Sequence, residues 1–70
     1  MNIEELQISI FKAGKTNRET SVYLGISEQA FYNKINGKSE FKNSEILKLS
    51  KFLKLSAERV NEIFFDNMVN

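Results

Sequence analysis

Two amide side chains, Gln29 and Asn33, stand one helical turn apart in the stretch 28–36, with Tyr32 beside them. Lys and Glu keep a helix surface soluble and form helices more readily than Asn, so the amides suggest a role of their own. Gln and Asn each pair through two hydrogen bonds with the edge of adenine in the DNA major groove. The pattern therefore predicts a surface that reads DNA bases, with an ordinary solvated helix as the alternative.

The composition argues against several other kinds of chemistry. The 70 residues include no Cys and no His, which removes disulfides, thiolate metal sites, and the commonest metal ligand and general base. We therefore expect no metal, no cofactor and no enzyme. No apolar run approaches the roughly 20 residues of a membrane span, and the start MNIEELQ lacks the features of a signal peptide. We expect one cytoplasmic domain over residues 1–70, with neither a membrane partner nor a small-molecule substrate.

The charges are unevenly distributed along the chain. The net charge is only +1, yet residues 12–54 hold nine Lys or Arg against four Glu, which gives +5. The two ends carry the compensating acidic residues. This distribution favours a moderately basic central face that meets an anionic partner. The alternative is that these lysines form the solvated sides of amphipathic helices.

The residues around the amides predict two short helices joined by a tight turn, over 17–36. Thr16 is suited to cap the first helix, and Glu19 three residues later completes a capping box. Gly25 can adopt the left-handed conformation that closes a helix at little steric cost. Ser27 is suited to cap the second helix, which holds the amides.

Three further helices are expected to flank this unit. The second helix of the unit, 28–36, stops at Gly37, and the ring of Phe41 is expected to fill the core from the loop that follows. The tail 66–70 is expected to fray. The flanking helices cover 3–13, then 44–53 with Asn43 or Ser44 as cap, and 57–65 with Ser56 as cap.

Apolar and small residues at helical spacing predict the side of each helix that faces the core. The architecture that follows is all-α, with five helices and no internal linker or repeat. The inward positions are Ile3, Leu6, Ile10 and Ala13; Thr20, Ser21 and Leu24; Ile26, Ala30, Phe31 and Ile35; Ile46, Leu49, Ser50 and Leu53; and Val60, Ile63 and Phe64.

The chain resembles the Cro/repressor type (XRE-like) of helix-turn-helix domain in Thr16-Asn17-Arg18-Glu19, Ser21, Leu24-Gly25-Ile26-Ser27, Phe31, Ile35 and Gly37. The later run FKNSEILKLSKFLKLSAERVNEIFF is similar to the downstream helices of short Cro-like regulators in temperate phages of Gram-positive bacteria. These include the proteins called modulators of repression. The sequence departs from the family pattern at Thr20, where an aliphatic residue is usual, and at Ser21, where Ala is preferred. It also departs at Lys34, which we expect to direct its charge outwards towards a phosphate.

The resemblance implies a sequence-specific transcriptional regulator of a lysis-lysogeny switch, acting on operator DNA in the bacterial host cell. The second helix of the unit would lie in the major groove and read bases. Gln29 and Asn33 are the strongest candidates. The full set of expected DNA-binding residues is Asn17, Ser27, Glu28, Gln29, Tyr32, Asn33, Lys34, Asn36 and Lys38.

An interaction protein of the modulator of repression type, an antirepressor that binds the cognate phage repressor, is the main alternative. The low net charge and Glu28 at the start of the presumed reading helix favour it. A helical scaffold or antitoxin is a further alternative that no residue selects. We expect a partner, either a second copy or the repressor, to bind apolar residues outside the expected core. The alternative is that the helix ends wrap back and these side chains complete the core. They are Ile8, Phe11, Phe65, Met68 and Val69.

Overall fold

Residues 1–65, the part of the chain that this computed structural model describes, fold into five helices. The helices are α1 (Ile3–Lys12), α2 (Asn17–Leu24), α3 (Glu28–Ile35), α4 (Asn43–Phe52) and α5 (Ala57–Phe64). No strand occurs among these residues. The structure therefore confirms the prediction of a small all-α domain with five helices. The predicted fraying of residues 66–70 falls outside the described residues.

Side-chain caps explain why the helices begin where they do. The Thr16 hydroxyl accepts a hydrogen bond from the Glu19 N–H at 3.0 Å, and the Glu19 carboxylate accepts from the Thr16 N–H at 2.9 Å. The capping box predicted for α2 is therefore present. Ser27 and Ser56 cap α3 and α5, each hydroxyl accepting from the amide three residues later at 3.0 and 3.1 Å.

The start of α4 differs from the prediction. The helix begins at Asn43, and the residue before it, Lys42, has no capping side chain. Neither Asn43 nor Ser44 is the cap, so that prediction is wrong. The Glu45 carboxylate instead reaches back and accepts from the Lys42 N–H at 2.8 Å. One orphan amide at the helix start is thus satisfied from inside the first turn, which removes the need for a capping hydroxyl or amide.

Left-handed glycines end α2 and α3. Gly25 has φ = 77°, and its N–H donates to the Val22 carbonyl while the Ile26 N–H donates to the Ser21 carbonyl. Gly37 has φ = 81° after the last turn of α3. Both positions were predicted as helix stops, because glycine adopts this conformation without a steric penalty. The turn between α2 and α3 is only three residues long, so α3 is held close to α2.

The core lies where all five helices meet. Phe41 closes it from the loop between α3 and α4, with its ring edge-on to Phe31 at 6.0 Å and to Phe64 at 5.8 Å, as predicted for this residue. Such edge-to-face pairs add to the stabilisation from apolar burial. The buried apolar residues are Leu6, Ile10, Leu24, Phe31, Ile35, Leu49, Leu53 and Ile63, and all eight were predicted to face inwards.

Some inward positions were wrong or only partly buried. Ile3 is 37% exposed although it lies on the same side of α1 as Leu6 and Ile10, because the burial of that side does not extend to the first residue of the helix. Glu45 is buried although a charged residue was not expected there. The predicted inward residues that are half-buried are Ala13, Ile26, Ala30, Ile46, Ser50, Val60 and Phe64.

Candidate nucleic-acid interface

The side of α3 that faces solvent carries the predicted base-reading residues. Gln29, Tyr32 and Asn36 are exposed and Asn33 is half-buried, and together these four residues form what we call the outer face of α3. The Gln29 amide nitrogen donates to the Asn33 side-chain oxygen at 3.2 Å. The two amides therefore lie side by side one turn apart, with most of their donors and acceptors free for a ligand.

Two small hydroxyl residues of α2 are buried with their polar groups satisfied. Thr20 and Ser21 are fully buried. The Thr20 hydroxyl donates to the Thr16 carbonyl, and the Ser21 hydroxyl donates to the Arg18 carbonyl, both at 2.7 Å. Because each hydroxyl is satisfied by a carbonyl of α2 or of its N-cap, the burial of Thr20 and Ser21 leaves neither hydroxyl unpaired.

Lys34 does not point to solvent. Its side chain is only 11% exposed, and its ammonium lies 3.2 Å from the carboxylate of Glu45, which is 10% exposed. The ammonium also donates to the Glu40 carbonyl at 3.0 Å and lies 5.9 Å from the centre of the Phe41 ring. The prediction that Lys34 directs its charge outwards to a phosphate is therefore wrong. Its charge is used to join α3 to α4 and to the loop between them.

The charged state of Glu45 follows from its surroundings. Burial of the carboxyl raises its pKa, but the hydrogen bond from the Lys42 N–H and the hydrogen bond and charge of Lys34 lower it. The net result is a pKa below the ordinary value for Glu, so the carboxylate is ionised at neutral pH. Lys34 and Glu45 thus form an ion pair in which both side chains are largely buried. It fixes one side of α3 while the outer face stays free.

The remaining predicted DNA contacts lie at the ends of α2 and α3. Asn17 is the first residue of α2 and is half-buried, and Ser27 is the exposed cap of α3. Lys38 is exposed just after α3, and its backbone N–H donates to the Asn33 carbonyl at 2.8 Å. Glu28 is exposed in the first turn of α3, where a negative charge interacts favourably with the helix dipole. That interaction accounts for Glu28 without any base contact.

The predicted partner residues have different environments. Phe11 is 83% exposed and Ile8 is 41% exposed on the outer side of α1, whereas Phe65 is half-buried beside Ile46 and Val60. Met68 and Val69 fall outside the described residues. Sequence reasoning missed four further exposed hydrophobic residues, and two of them are the aliphatic residues Val22 on α2 and Leu47 on α4. Neither residue falls at an inward position of its helix by spacing, and that pattern could have predicted their exposure.

A family model described as a protein of unknown function, DUF739, matches residues 3–67. The chain belongs to the DUF739 family. No curated protein and no solved structure matches the DUF739 chain. The family description assigns no activity, so a function for this DUF739 domain has to be argued from its surface.

Two other kinds of site are absent from the described part of the DUF739 domain. Over residues 1–65, no helix is long and apolar enough to cross a membrane. Within the same range, no group of three or more acidic side chains is placed to hold a metal ion. The outer face of α3 and the cations around the domain are the features that remain for recognition of another molecule.

Proposed function

We propose that this DUF739 domain binds operator DNA through α3 and regulates transcription, as its resemblance to Cro-like phage regulators implies. The observation that carries the proposal is the outer face of α3, where the side-chain amides of exposed Gln29 and half-buried Asn33 are adjacent and form a hydrogen bond only with each other. An α-helix fits the major groove of B-DNA, where each base pair shows a distinct pattern of donors and acceptors. The switch between phage lysis and lysogeny is the setting that the resemblance favours.

The amide pair suits base reading because its geometry is already set. A side-chain amide has two N–H donors and one oxygen with two lone pairs, and the bond between Gln29 and Asn33 uses one donor and one lone pair. Each residue keeps at least one donor and one acceptor for a base edge. Tyr32, on the same face, offers a ring for a thymine methyl group and a hydroxyl for a phosphate.

Contacts to the DNA backbone would come from residues beside α3. Asn17 and Ser27 lie at the N-terminal ends of α2 and α3, where free backbone amides favour a phosphate oxygen. Lys38 adds a positive charge beyond the C-terminal end of α3. Such contacts position a protein on the duplex, and base contacts then supply sequence specificity.

A gel shift of the purified protein on the DNA that flanks its own gene tests the proposal. We expect a shift that a scrambled duplex of equal length does not compete away, and that weakens as salt rises because phosphate contacts release counterions. Asn33→Ala should weaken the specific shift, whereas Asn61→Ala, an exposed amide on α5, should not. Equal binding to the flanking and scrambled duplexes would contradict the proposal.

A second candidate is binding to the cognate phage repressor, as in modulators of repression. The exposed ring of Phe11, with Ile8 one turn before it, favours this candidate, because a large apolar side chain gains from being covered. The same surface would serve a homodimer, which a helix-turn-helix protein needs in order to contact two half-sites.

Sedimentation of the protein, alone and mixed with the repressor, tests the second candidate. We expect association that Phe11→Glu weakens while leaving the circular dichroism spectrum unchanged. Val22→Glu is the matched control, since Val22 is 71% exposed on a different helix. A strict monomer at high concentration that also ignores the repressor would exclude this candidate.

A further inference from the structure

A groove of about 720 Å³ opens between the C-terminal ends of α1 and α4 and the first turns of α5. Four cations line it, together with the carboxylate of Glu5. No residue of α3 lines the groove, and neither do Ile8, Phe11 or Phe65. It is therefore separate from the proposed DNA surface and from the predicted partner residues. The four cations are Lys12, Lys15, Lys54 and Arg59.

Arg59 forms the fixed wall of the groove. Its guanidinium donates to carboxylate oxygens of Glu5 and Glu62, both at 2.8 Å, and to the Ser9 hydroxyl at 3.1 Å. The two carboxylates neutralise the charge of the guanidinium within the protein. The three lysines differ, because over residues 1–65 none of them forms an ion pair. No carboxylate of the described residues neutralises their charges; Lys12 and Lys54 form no other contact of this kind, whereas the Lys15 ammonium lies over the Phe52 ring.

Lys54 holds the left-handed position that ends α4, the same position that Gly25 and Gly37 hold after α2 and α3. Lys54 has φ = 55° and is the only residue other than glycine with a positive φ among the described residues. The other three positive-φ positions are Gly14, Gly25 and Gly37. Glycine adopts this conformation freely, whereas a side chain strains it. Strain of this kind is often retained where a side chain has a function, and here that side chain lies at the groove.

The floor of the groove is apolar. Phe52 and Leu55 line it. The Phe52 ring is fixed by stacking on Tyr23, with centroids 4.3 Å apart, and by the Lys15 ammonium 4.9 Å from its centre. A ligand in this groove therefore meets separate positive charges around a rigid hydrocarbon surface. A small inorganic anion would use only one part of that surface, whereas a peptide with both acidic and aliphatic side chains would use all of it.

We propose that this groove binds an acidic segment of a partner protein. Carboxylates of the segment pair with Lys12, Lys15 and Lys54, and its aliphatic side chains cover Leu55 and the part of the Phe52 ring that Tyr23 and Lys15 leave uncovered. The proposal does not depend on DNA binding by α3, because the two surfaces share no residue. Opposite charges across such a contact direct encounter and register, and the contact weakens as salt rises.

A nuclear magnetic resonance titration of the ¹⁵N-labelled full chain tests the proposal, with a short synthetic peptide of Glu and Leu as probe. We expect amide signals of residues 12–15 and 52–59 to shift, and signals of α3 to stay in place. Lys54→Gly should weaken binding by about two- to fivefold, the range for one exposed ion pair. It should also raise the melting temperature, because glycine relieves the strained backbone. Lys48→Gln, on the exposed side of α4, should change neither quantity.

Several results would overturn the proposal. One is the absence of shifts in the groove signals when the peptide is added. Another is equal binding of the peptide by the parent and the Lys54→Gly variant, which would show that Lys54 only ends α4 and does not contact the peptide. A third is that inorganic phosphate or a non-specific DNA duplex shifts the same signals as strongly as the peptide at equal concentration. That outcome would identify a general anion surface in place of a peptide site.

Discussion

The inner and outer faces of α3 differ in how their polar groups are satisfied. On the inner face, Phe31 and Ile35 are buried and the charge of Lys34 is paired with Glu45 inside the protein. On the outer face, the side-chain amides of Gln29 and Asn33 form a hydrogen bond only with each other. The inner face of this short helix therefore holds the fold together, and the outer face is where we propose that DNA binds. Changes to the inner face should alter the free energy of unfolding, and changes to the outer face should alter binding.

The largest effect is expected for Phe31→Ala on the inner face. Phe31 is fully buried and packs edge-on against Phe41, so its loss leaves a cavity in the core. The free energy of unfolding should fall by about 3–5 kcal/mol, comparable with the whole stability of a small domain. Thermal melting followed by circular dichroism measures it. Tyr32→Ala, one residue along and 40% exposed, is the control and should lower the melting temperature far less. Equal losses would show that the two faces are not distinct.

The next effect concerns the Lys34–Glu45 pair. Lys34→Met leaves the Glu45 carboxylate buried without its cation, and the free energy of unfolding should fall by about 1.5–3 kcal/mol, the range for hydrogen bonds to charged groups. Adding Glu45→Gln should recover part of this loss, since the two residues are coupled. Urea unfolding of the parent, both single variants and the double variant gives the coupling free energy. Additive losses would mean that the ion pair contributes nothing beyond its separate side chains.

The same pair predicts a pH dependence. Because the folded protein holds the pKa of Glu45 below its ordinary value, the stabilisation is complete above the unfolded pKa and is lost as the pH falls through the folded pKa. The gap in unfolding free energy between the parent and Glu45→Gln should therefore be full at neutral pH and shrink below about pH 4.3, the ordinary pKa of Glu. Urea unfolding over a pH series measures it. A gap that stays constant or widens in acid would contradict the assignment.

The smallest effect on stability is expected on the outer face. Gln29→Ala and Asn33→Ala remove one exposed hydrogen bond, so each should change the free energy of unfolding by only about 0.2–0.5 kcal/mol. The proposed DNA affinity should fall by about 1–3 kcal/mol for each variant, with non-specific binding nearly unchanged. Fluorescence anisotropy with labelled duplexes separates the two affinities. Variants that bind as tightly as the parent would remove these residues from the proposed readers.

The helices could be predicted from the sequence because their signals are local. The Thr16–Glu19 capping box, Ser27 and Gly25 each act within a few residues, and all three behave as expected. The buried apolar residues follow from helical spacing, which is also local. Ile3 fails because spacing alone does not say how far the buried stripe extends towards the end of a helix.

The Lys34–Glu45 pair could not be predicted, because it joins two helices whose relative position the sequence does not reveal. From the sequence alone, Lys34 was predicted to extend its ammonium group to solvent. The structure supplies Glu45, the Glu40 carbonyl and the Phe41 ring around it. The function of the outer face of α3 also stays a prediction, since an exposed amide pair has the same geometry whether or not DNA binds there.

The most direct test of the account is selection of binding sites from a random pool of DNA duplexes, using the parent and a Gln29→Ala, Asn33→Ala double variant. We predict that the parent enriches one defined sequence motif. The double variant should lose that motif while its melting curve stays close to that of the parent. If the parent enriches no motif, or if the double variant enriches the same motif equally well, the outer face of α3 is not a DNA-reading surface.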